Sequence, residues 1–252
     1  MIANIYGDNI DSGRQSLVLV QTQSEQRVTM TKARAGRPRG ENTENANRRR
    51  KQLMDATIES IVEHGLSATT LATVAKASGL SQGTTVFYFK SKESLLSETF
   101  RNWMEEFRVY WTDALSSAGS DPIDRIMALA FSTIDPQVMT RQNLIFWNSF
   151  WNQASTNASH TEMSGPFETE RLGVLLALCE DAKDLISGTI WTPKTAAHTL
   201  ETMAEGIWVR LYYSPDYITF KDARMAMGTV LSVIFPARTD DIMKRASHCP
   251  DS

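Results

Sequence analysis

Residues 69–96 read TTLATVAKASGLSQGTTVFYFKSKESLL, and the order of cap, break and cap within them sets the fold around them. Thr70 stands where a helix N-cap is wanted, and Leu71, Val74 and Ala75 recur at helical spacing over a short helix ending near Ala77. Gly79 breaks that helix, and Ser81 caps another that runs to about Phe87. Two short helices separated by a Gly-containing turn make a helix-turn-helix. Ala75 lets the two axes approach, Gly79 permits the reversal, and Leu80 and Thr85 fill the angle between them. The second of these helices is an odd choice on propensity alone, because Thr84, Thr85, Val86, Phe87 and Tyr88 include β-branched and aromatic side chains that lose rotamer freedom there. Such residues are selected for what their exposed face touches.

Upstream, Leu53 with Met54, Thr57 with Ile58, and Ile61 with Val62 form one apolar stripe on a helix from about Ala46 to His64, with Gly65 placed as its left-handed cap. Its entrance is basic, from Arg48, Arg49 and Arg50 to Lys51. Apart from Leu17–Val20, an isolated LVLV, strand patterns are nearly absent, and everything after residue 45 is written in helical spacing. The reading is all-α. It comprises a disordered basic arm over 1–45, a three-helix helix-turn-helix domain over 46–92, a larger helical domain over 93–238 and a disordered tail over 239–252. Met30 is an alternative start, which would make residues 1–29 an artefact of the assigned start codon.

The 252 residues and a 42% apolar share suffice for a sizeable core. No apolar run approaches a membrane span, the opening lacks a basic stretch followed by an apolar one, and only Cys179 and Cys249 are present. A cytoplasmic protein without membrane or cofactor is expected. The net charge of −3 conceals an asymmetry: Lys32–Lys92 holds 11 Lys+Arg against 5 Asp+Glu, whereas 13 face 21 from Glu93 onward. A basic front on an acidic body is the electrostatic footprint of a polyanion binder. Enzyme chemistry finds little support, since the four His make no metal-ligand spacing and no Gly-rich phosphate loop occurs.

The stretch 69–96, down to its aromatic pair and the SKESLL that opens the next helix, resembles the DNA-binding signature of the TetR family of transcriptional regulators over roughly residues 48–100. The resemblance implies that the helix after Ser81 enters a major groove. Gln82 is then placed for a bidentate contact to adenine, Thr84 for a thymine methyl, and Gly83 for close backbone approach. Val86 and Phe87 offer apolar contact to thymine methyls, and Phe87 reads equally well as core, as Phe89 does more strongly. Tyr88 and Lys92 are placed by resemblance on phosphates, and Arg48, Arg49, Arg50, Thr70 and Ser81 complete the expected DNA-contacting set. Thr85 and Val86 depart from the family, which usually has a larger aliphatic followed by Tyr, so no tyrosine-to-phosphate contact carries over to position 86. Ahead of the domain, GRPRG at 36–40 looks like an AT-hook, or else an arm adding sequence-independent attraction.

All six Trp lie C-terminal to this unit. LIFWNSFWNQA, 144–154, and MAEGIWVRLYY, 203–213, resemble the regulatory domain of the family's BetI branch, the choline-responsive repressors, with Glu205 before Gly206 in the place of that branch's acidic residue. Trp103, Trp111, Trp147, Trp151 and Trp208 are the expected effector-binding residues, since aromatic walls attract quaternary ammonium ions; the competing reading of each is plain core. Segments 166–183 and 221–235 carry apolar faces, Leu172, Leu175, Leu176 and Cys179 on one and Met225, Met227, Gly228, Val230, Leu231 and Ile234 on the other, enough for a helix-pair interface or for an intramolecular core; the resemblance favours a homodimer through the last long helices, hence a palindromic operator. The implied mechanism is release from DNA when a small molecule favours a conformation whose recognition helices no longer match successive grooves, with a fourth helix, about Lys92–Leu115, as the lever. Two alternatives stand beside it: a sensor of an unrelated hydrophobic or aromatic metabolite, and a DNA-binding architectural protein that senses no ligand.

Overall fold

Short-range capping chemistry starts and stops the first helices. In the computed structural model, which describes residues 39–154, 158–186 and 189–248, α1 spans Arg39–His64, α2 Leu71–Ser78, α3 Gln82–Phe89 and α4 Lys92–Ser117. Thr70 and Thr73 form a reciprocal capping box at the start of α2, and Gly79 closes that helix with φ 68°. Ser81 accepts from the Thr84 amide to open α3, and Ser91 from the Ser94 amide to open α4. Gly65 ends α1 at φ 83°.

Leu53 and Ala56 of α1, Val74 of α2, Phe89 of α3 and Leu95 of α4 close a small core under the helix-turn-helix. Beyond it α4 continues into a second core, with Phe100, Trp103, Trp111 and Leu115 buried, and α1 joins the same core through Ile58 and Ile61. Around them stand α5 (Pro122–Ser132), α6 (Arg141–Ala154), α7 (Ala158–Asp181), α8 (Pro193–Tyr213) and α9 (Phe220–Ile234). Among the described residues no strand occurs, and no helix is long and apolar enough to cross a membrane. Glu44–Ser252 forms one compact unit, and Met1–Thr43 is described only in its last helical residues.

Three expectations change. The first helix begins at Arg39 and not at Ala46, so the end of the supposed arm is helical; Thr43, Glu44 and Asn45 are exposed, and a turn that is polar all round gives no periodic signal. The supposed tail over 239–252 contains α10, Thr239–Ser247, which buries Ile242 and Ala246. Ala246 sits over Gly228 of α9, where an added Cβ would lie 2.5 Å from its own. Arg238, just before α10, reaches Asp124 at 2.8 Å and Asp241 at 2.6 Å, clipping the helix to α5. Third, much of the expected dimer face is spent inside the chain. Leu175 and Cys179 of α7, and Met227, Gly228, Leu231 and Ile234 of α9, are buried because their side of each helix faces neighbouring helices. The LVLV run, the Met30 start and residues 36–38 of GRPRG lie outside the described residues, while Arg39 and Gly40 open α1.

Candidate operator and effector sites

The helix-turn-helix offers one uncharged outer surface, that of α3. Thr85 and Phe89 are fully buried and anchor the helix, whereas Gln82 and Gly83 are exposed and Thr84 partly so. Val86 is 42% exposed and Phe87 74%, which removes Phe87 from the core. The other residues of the expected DNA-contacting set divide. Thr70, Ser81, Arg48 and Arg49 are exposed, with Arg48 donating to Asn45 and Arg49 to Gln52 within α1. Arg50, 41% exposed at its side chain, also reaches within the chain: it pairs with Glu98 of α4 at 2.5 Å, and its guanidinium lies 5.8 Å from the ring of Tyr88 and 5.5 Å from that of Phe89. The Lys92 ammonium donates to the carbonyls of Leu66 and Ser67, both at 2.9 Å, so two of its three N–H groups hold the α1–α2 turn.

The second site is a cavity of about 620 Å³, its open mouth included, walled by α4, α6, α7 and α8. All five tryptophans picked out above line it. On α4, Trp103, Phe107 and Trp111 recur every fourth residue and so share one face. Trp208 stands at the centre of the aromatic set: its ring centroid lies 6.0 Å from Trp103, 5.7 Å from Phe107 and 5.4 Å from Trp147, each contact steeply inclined. Its indole N–H donates to the Thr133 carbonyl at 2.8 Å, which fixes the ring. Trp147 stacks on Trp151 at 5.0 Å, and Trp151 is 42% exposed. Phe146 and Phe150 are buried behind this wall against Phe100.

Charge enters from two helices whose contribution the sequence reading missed, apart from Glu205. Glu168 and Arg171 of α7, with Glu201 and Glu205 of α8, line the cavity. Arg171 and Glu201 pair at 2.5 Å with side chains only 10% and 13% exposed. That contact uses Glu201 Oε1; Oε2 is buried and has no hydrogen-bond partner. The visible signal was the spacing Glu201, Glu205, Trp208 on one helical face, but nothing in the sequence joins Arg171 to Glu201. Arg108, the other cavity cation, is held by Glu105 through two hydrogen bonds of 2.8 and 2.5 Å.

Burial pushes the Glu205 carboxyl above the usual carboxylate range, helped by Glu201 and Glu168 and opposed by Arg171. A raised value means the folded chain holds this proton more tightly than the unfolded chain does. Stability from Glu205 is therefore full below about pH 4.3 and is lost as pH rises through the raised value. Glu205→Gln removes the dependence. Urea unfolding over a pH series should show the variant gaining on the wild type as pH rises through that window, then a constant difference; parallel curves throughout would refute it.

Residues 53–99 match the family profile of bacterial regulatory proteins of the tetR family, and residues 122–236 that of the BetI-type transcriptional repressor, C-terminal. An HTH-type transcriptional regulator BetI from Burkholderia ambifaria (strain MC40-6) is 33% identical over 162 residues, covering 64% of this chain and 81% of that protein. Its counterpart from Stenotrophomonas maltophilia (strain R551-3) is 28% identical over 183 residues, 72% of this chain and 91% of that one. Among solved structures, a putative transcriptional regulator from Pseudomonas aeruginosa PAO1 superposes with a TM-score of 0.67 at 15% identity, covering 78% of this chain and 94% of that one. A putative transcriptional regulator from Saccharomonospora viridis, in complex with choline, gives 0.66 at 14% identity, covering 74% of this chain and 96% of its own. At such identities these two speak for the fold alone. Taken with the helix-turn-helix and the helical body that follows it, the sequence matches make this chain a member of the TetR family, a transcriptional regulator of the BetI type.

Proposed function

We propose that this regulator is a cytoplasmic homodimeric repressor, and no enzyme, released from a palindromic operator by a small quaternary amine such as choline. The observation that carries the effector is the Glu201 Oε2 atom, a buried carboxylate oxygen without a hydrogen-bond partner inside a tryptophan-walled cavity. Aromatic faces attract an onium ion by roughly 0.5–2 kcal/mol each, and a carboxylate oxygen that Arg171 leaves without a hydrogen bond adds a further place for positive charge. The Saccharomonospora viridis neighbour, which shares the fold, is itself in complex with choline. Dimerisation falls to the faces that α8 and α9 leave outward: Thr195, His198, Thr202, Gly206 and Tyr213 on the first, and Ala226, Thr229 and Val233 on the second. Gly206 has open space where a Cβ would stand, so a second helix can approach closely there. Gln82, Thr84 and Phe87 present themselves to the major groove, while Arg48, Arg49, Tyr88 and Lys92 are left to phosphates. Trp103, Phe107 and Trp111 make α4 the natural lever, since the helix that carries them begins at Lys92.

Tryptophan fluorescence titration with choline and with its uncharged isostere 3,3-dimethyl-1-butanol tests the effector. The cation should bind at least about tenfold more tightly, the worth of one or two cation–π contacts. Choline should also loosen the regulator from its promoter fragment in a mobility shift, as reciprocal coupling requires. Equal binding of the isostere would favour a hydrophobic metabolite, and no response to either would retire the cage.

A further inference from the structure

Phe87 is 74% exposed, and its neighbour Val86 adds a second apolar surface. Thr85 and Phe89 are fully buried, and at about 100° per residue Phe87 lies on the opposite side of α3 from them, one turn after Gly83. It is therefore the most outward side chain of the helix. Gly83 leaves bare backbone ahead of it, for the nearest atom to a Cβ there is Ser81 Oγ at 3.7 Å. Behind it the ring is braced edge-on against Tyr88 at 5.2 Å. α3 contains no Asp, Glu, Lys, Arg or His.

A surface of this kind has no use for phosphate: neither Phe nor Val can donate a hydrogen bond to one. In the major groove the distinctive apolar feature is the C5-methyl of thymine. We propose that Phe87, flanked by Val86, reads thymine methyl groups, so that each operator half-site carries thymine where the second turn of α3 meets the bases. This rests on the reading above that α3 enters the major groove. The contact discriminates by shape and desolvation alone, so it recognises the methyl and ignores the thymine O4 acceptor.

The test uses the full chain and duplexes that it enriches from a random-sequence pool. Each thymidine of the enriched site is replaced in turn by deoxyuridine, which keeps the base pair and every hydrogen-bonding group and removes only the methyl. Binding should weaken about fourfold per lost methyl at one or two positions, and about fifteenfold when both half-sites are changed. Phe87→Ala should bind thymidine and deoxyuridine duplexes within about twofold of each other while unfolding at the wild-type temperature, since its ring supports no core. Deoxyuridine tolerated at every position by the wild type, or an undiminished thymidine preference in Phe87→Ala, would overturn the assignment. A pool yielding no enriched duplex would remove DNA reading by α3 altogether, an outcome distinct from a site indifferent to methyls.

Discussion

Arg171→Met should lower the free energy of unfolding by about 3–5 kcal/mol, the usual cost of removing one partner from a buried ion pair. The pair with Glu201 bridges α7 and α8 with both side chains nearly out of water, and Glu201 Oε2 already lacks a partner. Removing the guanidinium leaves a whole carboxylate stranded in an aromatic cavity. The double variant Arg171→Met, Glu201→Leu should recover most of the loss, because a stranded charge costs more than an apolar pair of similar volume. Saturating choline should raise the unfolding temperature of Arg171→Met by more than that of the wild type, since an onium ion then takes up the role of the missing guanidinium. Urea unfolding of the four corners of the cycle decides this: a single-variant cost below about 1 kcal/mol would mean that water reaches the pair, as at exposed ion pairs.

A second large effect is expected at Phe89. Phe89→Ala should cost about 3–5 kcal/mol, the range for emptying a buried phenyl site. Its ring is fully buried among Leu53, Ala56, Val74 and Leu95, and no other aromatic side chain is buried in that small core. With the ring gone α3 is held by Thr85 alone, so DNA binding should fall by more than about tenfold, at roughly 1.4 kcal/mol per factor of ten. Tryptophan fluorescence should hardly change, because every Trp lies C-terminal to the helix-turn-helix. Two phenylalanines two positions apart would then separate cleanly: Phe89 acts on stability and Phe87 on sequence preference. A Phe89→Ala protein that keeps both wild-type stability and DNA affinity would contradict the packing described above.

The parts legible in the sequence were those written locally. Thr70, Gly79 and Ser81 act through partners within four residues, and each was found in its expected place. The tryptophans were legible because all six lie C-terminal to the helix-turn-helix and because 144–154 and 203–213 resemble the regulatory domain of the BetI branch. What stayed hidden was long-range or weakly apolar. Arg171 meets Glu201 across two different helices, and no periodicity carries that. The last helix, α10, buries only Ile242 and Ala246 and relies on the Arg238 clip, so its apolar signal is faint. Arg50 stood in the basic entrance of α1 and Lys92 was placed on phosphate by resemblance, and neither reading could foresee that Arg50 also pairs with Glu98 or that Lys92 also holds two backbone carbonyls.

The uncharged character of α3 reaches beyond the identity of any one base. Counterions leave DNA only where a cation replaces them, and on the proposed reading α3, which carries no charged side chain, displaces none. Ionic strength should then govern how long the regulator stays on a duplex, through arginines and lysines elsewhere, while its ranking of one sequence over another should stay constant as salt is varied.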